Sequence, residues 1–143
     1  LAEKYGVSTD VWSATSYKEL RRDALEAARW NMLHPEQPQR TSYLASLLKD
    51  TKGPVVAASD YVRQVPEQIA PWVPGGLTVL GCDGFGRSES RANLRRHFEV
   101  DAEHITVATL YALSQRGELP PATVAAAIRE LGVNPEQAFS LYA

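Results

Sequence analysis

The sequence predicts an α/β fold, a three-layer αβα sandwich around a mostly parallel sheet. Two observations carry that expectation. Short runs rich in β-branched or apolar residues, at 7–15, 54–59 and 77–82, each give way to a segment with helical spacing of its apolar residues. Strands alternating with helices in this way pair in parallel through right-handed crossovers. The third run then passes into a glycine-rich turn, Gly81-Cys82-Asp83-Gly84-Phe85-Gly86-Arg87-Ser88, ahead of a polar, helix-favouring stretch. Strand, glycine turn and helix in that order mark the carboxyl edge of an open sheet, where such folds place ligands.

Each element has a local reason. Leu1 to Tyr5 reads as a helical turn closed by Gly6, the residue that most easily adopts the left-handed closing conformation. Residues 7–15 (VSTDVWSAT) read as a strand. Ser16 caps a helix running through Trp30, with Leu20, Ala24, Ala27 and Ala28 along one side. Two prolines punctuate the loop 33–40, and a short helix follows over 42–48. Residues 54–59 (PVVAAS) suit a buried parallel strand, after which Asp60 is expected to cap a helix bearing Val62, Val65, Ile69 and Trp72 on one face. Pro66 falls inside that helix, where proline costs ~3 kcal/mol unless the helix bends or starts late, so a kink or loose first turn is expected.

The third strand spans 77–82 and the next helix 88–98. Asp101 caps a helix from Ala102 to Arg116 that Gly117 ends, despite the locally strand-like Ile105-Thr106-Val107. Pro120 and Pro121 open the last helix, Val124, Ile128 and Leu131 form its apolar stripe, and Gly132 closes it. Residues 134–143 are a tail.

At 143 residues the chain is one domain, large enough to bury about two-thirds of its unfolded surface. A net charge of −2 gives no general attraction to nucleic acid or to an anionic membrane. No apolar run approaches the ~20 residues of a membrane span. The single cysteine, Cys82, excludes an intrachain disulfide and a cysteine zinc site, which suits a cytoplasmic location.

The glycine turn is the main functional candidate: Asp83, Gly84, Phe85, Gly86, Arg87, Ser88 and Arg91. Residues 81–88 spell G-x-x-x-x-G-R-S, but the lysine a phosphate loop needs is Arg87, Asp83 would repel a triphosphate, and no later strand ends in a magnesium-binding aspartate. The glycine spacing also differs from a dinucleotide fingerprint. Two readings stay open. An Asp83–Arg87 pair would hold the loop while Phe85 projects into a neighbouring surface, the aromatic-plus-arginine composition of an interface hot spot. Alternatively Arg87, Ser88 and the following helix N-terminus would bind a small anion or effector. His34, His97 and His104 have no metal-ligand spacing, Cys82 has no histidine partner fixed by sequence, and Trp12, Trp30 and Trp72 suit core or interface positions.

Gly81-x-Asp83-Gly84-Phe85-Gly86-Arg87-Ser88, with Arg91, Leu94-Arg95 and His97-Phe98-Glu99-Val100-Asp101, resembles the carboxy-terminal, transketolase-C-like domain of the homodimeric E1 component of the pyruvate dehydrogenase complex. Upstream, Ser59-Asp60-Tyr61 and residues 26–35 (EAARWNMLHP) extend the resemblance, which covers roughly residues 1–118. Cys82 and Glu89 depart from the family's threonine and aspartate. The resemblance implies a fragment of a longer polypeptide, residues 1–143 being a single carboxy-terminal domain whose first strand is missing. It implies a transketolase C-terminal fold and a parent enzyme that decarboxylates pyruvate with thiamine diphosphate and magnesium, then reductively acetylates the lipoyl groups of E2. It assigns this domain no catalytic, cofactor-binding or metal-binding residue, so the fragment alone is expected to be inactive. The implied partners are a homodimer partner, the remaining E1 domains and the E2 dihydrolipoyl acetyltransferase. The rival readings are an anion- or nucleotide-binding regulatory module, or an assembly domain that binds another complex component.

Overall fold

A computed structural model describes residues 1–143. Seven helices and two strands follow one another as α1 (Ala2–Tyr5), α2 (Tyr17–Leu33), α3 (Tyr43–Leu48), β1 (Val55–Ala58), α4 (Gln64–Glu67), β2 (Leu77–Leu80), α5 (Arg91–His97), α6 (Ala102–Gln115) and α7 (Pro121–Glu130), with a 3-10 turn at Ala70–Trp72. Most helix ends are written locally. Ser16, Ser42 and Asp101 each accept a hydrogen bond from the backbone N–H three residues on, at α2, α3 and α6, satisfying an amide the helix leaves free. Gly6, Gly117 and Gly132 adopt positive φ just beyond α1, α6 and α7.

The strands pair in parallel with Val55 opposite Leu77 and Ala58 opposite Leu80. Val55 and Leu77 pack on a cluster of Leu44, Leu48, Ile69 and Val73, joined by Tyr17, Leu20 and Trp72. A second cluster, Leu110, Val124 and Ala127, draws in Tyr5, Val7 and Val107. Helix α6 lies against both strands yet contributes nothing to the first cluster, so helices cover both faces of the sheet and the α/β class holds. The core is thin: 15 of 143 residues are buried, while Val11, Trp12, Met32, Tyr61 and Phe85 are largely exposed.

Four expectations are corrected. Residues 7–15 form no strand: none of their backbone groups hydrogen-bonds to another backbone group. β-Branched composition suits a pleated ladder but cannot supply the partner strand. Asp60 does not cap a helix; the chain turns through residues 59–63, with Ser59 Oγ accepting the Tyr61 N–H at 3.1 Å, and α4 starts at Gln64 without a side-chain cap. The anticipated apolar face of this region therefore splits, with Ile69 buried and Val62 exposed. Pro66 explains the interruption. It is the third residue of a one-turn helix, where an N–H would have no intrahelical partner, and it is fully buried. The helix expected over 88–98 starts at Arg91, because Ser90 rather than Ser88 accepts the capping bond, from Asn93 N at 3.3 Å.

Candidate functional site

The glycine turn leaves β2 at Gly81 and is held from two sides. A Cβ on Gly81 would sit 2.8 Å from both Arg63 N and Tyr61 O, so only glycine lets the turn lie against residues 61–63. The Cys82 N–H donates to Tyr61 O at 2.9 Å. Gly84 has φ +104, and a Cβ there would overlap the Ser140 carbonyl. Ser140 is itself buried. The turn is thus seated between the segment after β1 and the carboxy-terminal tail.

Arg63 joins these three pieces. Asp83 Oδ1 accepts the Arg63 backbone N–H at 3.0 Å, and Asp83 Oδ2 lies 3.4 Å from Arg63 Nε. That second contact is an ion pair rather than a hydrogen bond, since Nε is buried without a hydrogen-bond partner. The same guanidinium stands 5.0 Å above the Phe139 ring, a cation–π geometry. The expected Asp83–Arg87 pair is therefore not formed. Asp83 turns inward to an arginine twenty positions earlier, which sequence spacing does not reveal. Phe85, Gly86, Arg87, Ser88 and Arg91 are all exposed, Phe85 at 86%. Arg87 and Ser88 border a cleft of about 470 Å³ completed by Glu89, Asn93, Leu94 and His97. His97 Nε2 is buried without a partner.

Beside the turn, a cleft of about 770 Å³ opens at the carboxyl end of β1 between Asp60, α5 and the start of α6. Its lining carries three carboxylates, Asp60, Asp101 and Glu103, and two guanidiniums, Arg95 and Arg96. Arg96 pairs with Asp101 at 3.1 Å and Glu103 at 3.7 Å. Burial alone would raise the Asp101 pKa, but hydrogen bonds from the His104 backbone and ring and from Arg96, with the His104 charge, hold it below its ordinary value. The Cys82 thiol moves upward, through partial burial and then the nearby Asp60 and Asp83 carboxylates; such a shift keeps it protonated and a poor nucleophile. His34 stacks on Trp30 at 3.6 Å, with Arg40 over the Trp30 ring at 3.5 Å. The His34 Nδ1 is 3.0 Å from Trp30 O, so it closes the end of α2.

No group of three or more His, Cys, Asp or Glu side chains is arranged to hold a metal ion.

Residues 1–101 match a family described as the transketolase-like TK C-terminal domain. The pyruvate dehydrogenase E1 component of Haemophilus influenzae is 50% identical over 144 residues, which is 100% of this chain and 16% of that protein. The E1 component of Pseudomonas aeruginosa is 48% identical over 138 residues, 96% of this chain and 16% of that protein. That of Mycobacterium tuberculosis is 44% identical over 142 residues, 96% and 15%. The chain thus spans about a sixth of the length of these curated relatives.

Proposed function

The chain belongs to the transketolase-like C-terminal domain family, and on that premise we propose that it is the carboxy-terminal scaffold and interface domain of a pyruvate dehydrogenase E1 component. The whole enzyme would decarboxylate pyruvate with thiamine diphosphate and magnesium and pass the acetyl group to the lipoyl groups of E2, in the cytoplasm. This domain would hold neither cofactor nor metal. Its contribution would be to seat the other domains and the partner subunit, with Phe85 and Arg87 of the glycine turn as contact residues.

The observation that carries this reading is a rigid base beneath an exposed tip. Gly81, Asp83 and Gly84 are pinned by Tyr61, Arg63 and Ser140, whereas Phe85 lies almost wholly in solvent. A pinned loop presenting an aromatic side chain beside arginine loses little freedom on docking. The unpaired segment 7–15 supports the same reading. It runs from Tyr5 and Val7, packed with α6 and α7, to Tyr17 and Leu20 on the cluster below Val55 and Leu77. It therefore passes from the α6–α7 side to the cluster beneath Val55 and Leu77 without a backbone partner of its own.

A domain exchange tests the proposal. This chain would replace the matching 138 residues of the Escherichia coli E1 component, to which it is 47% identical. The chimera is expected to reduce NAD with pyruvate when E2 and E3 are added, while the chain alone is expected to be inert. A folded, dimeric chimera that turns over no pyruvate would defeat the assignment.

A further inference from the structure

The larger cleft beside the glycine turn carries a charge pattern that no contact within the chain uses up. It opens at the carboxyl end of β1 and encloses about 770 Å³, within the roughly 300–1,000 Å³ of small-molecule sites. That edge is where open α/β sheets take their ligands. Val100, which is buried, lines its apolar side with Ala58 and Ile105. Of its two guanidiniums, Arg96 is already engaged, by Asp101, Glu103 and the Gly132 carbonyl. Asp101 also caps α6, so its carboxylate occupies the amino end of that helix. Two charges remain, Asp60 and Arg95, both exposed. Neither forms an ion pair, with the other or with any residue of the chain. They stand on different elements, Asp60 just beyond β1 and Arg95 within α5, and line one cleft.

We propose that this cleft binds an aliphatic α-amino acid as its zwitterion, with the ammonium at Asp60, the carboxylate at Arg95 and the side chain toward Val100 and Ile105. The site is independent of the glycine turn's role as an interface. Complementarity of charge selects the class. A simple anion on Arg95 leaves the Asp60 carboxylate unpaired, and a simple cation on Asp60 does the same to Arg95. A phosphorylated ligand brings about two negative charges to one free guanidinium, among three carboxylates. A dipolar ligand satisfies both free groups at once. Guanidinium and carboxylate also match in shape, through two parallel N–H···O bonds. The apolar wall then favours a hydrocarbon side chain, by the surface it removes from water.

Saturation-transfer NMR on the whole protein tests this, with L-leucine as the probe and two analogues that each lack one charge. Isocaproate has no ammonium, and isoamylamine has no carboxylate. L-Leucine is expected to bind, and each analogue to bind roughly ten-fold or more weakly, because a charged hydrogen-bond partner is lost. Asp60→Asn and Arg95→Gln should each weaken L-leucine to a similar degree, and Arg95→Lys should retain part of the affinity. Lys52→Gln, at the opposite, amino edge of the strands, should change nothing. Asp60 and Arg95 are exposed and unpaired, so an unchanged thermal midpoint is expected and separates lost binding from lost fold. If isocaproate binds as tightly as L-leucine, the cleft reads an anion and the proposal fails. If L-leucine binds equally to both charge variants, it sits elsewhere and the proposal fails again. No binding of L-leucine, L-valine or L-isoleucine up to about 10 mM overturns it outright. None of these outcomes bears on the glycine turn, whose test is the domain exchange.

Discussion

At residue scale, two side-chain substitutions separate what is pinned from what is merely nearby. Gly84 takes a φ of +104 with the Ser140 carbonyl lying where its Cβ would go, so Gly84→Ala combines backbone strain with a clash. The expected loss is about 1–3 kcal/mol, read as a lower urea midpoint; Gly86→Ala, with open space around it, should shift the midpoint far less. Asp101 caps α6 through the His104 N–H at 2.9 Å and also pairs with Arg96. Asp101→Ala should cost about 1–2 kcal/mol near neutrality, and Asp101→Asn less, since the amide oxygen still caps. The folded carboxyl titrates below its ordinary value of 3.8, so the unfolded chain binds this proton first. Its stabilisation is present above 3.8 and drains as pH falls through the lower folded pKa. Urea titrations of wild type and Asp101→Ala should therefore converge below that range and separate above it.

At the scale of elements, helix boundaries were the most legible feature of the sequence, because caps act over three or four residues. Ser16, Ser42, Asp101, Gly117 and Gly132 do in the fold what their types imply. Legibility failed wherever the partner lay far along the chain. Asp83 had a near candidate in Arg87 and chose Arg63; the helix expected from Ser88 starts at Arg91 with Ser90 as its cap, beyond a turn seated against residues 61–63 and 140. The tail drew no functional expectation at all, yet Phe139 lies beneath the Arg63 guanidinium and Ser140 lies against Gly84. The tail is thus a structural part of the glycine turn. Phe139→Ala is expected to raise amide hydrogen exchange across residues 81–90 while leaving α6 and α7 unchanged. Equal exchange in both proteins would mean that Asp83 and Arg63 hold the turn without the tail.

At the scale of the whole molecule, the α/β class followed from the alternation of runs, but the extent of the sheet did not. Residues 7–15 carry the composition of a strand and have none of its bonds. Local propensity is a statement about fit to a ladder, and the ladder must be present to reward it. The same deficit explains why so few residues are buried and why Val11, at 91% exposure, and Trp12 face solvent. Fully burying a valine or larger side chain stabilises by about 1.5–3 kcal/mol, so these positions favour any arrangement that covers them. If a strand from elsewhere in the protein fills the gap, the amides of residues 8–15 should exchange at nearly unprotected rates in the 143-residue chain. The same amides should become strongly protected in the whole protein, while those of β1 and β2 are protected in both. Equal, fast exchange of residues 8–15 in the whole protein would make this segment a linker, and the two-stranded sheet would then be the complete one.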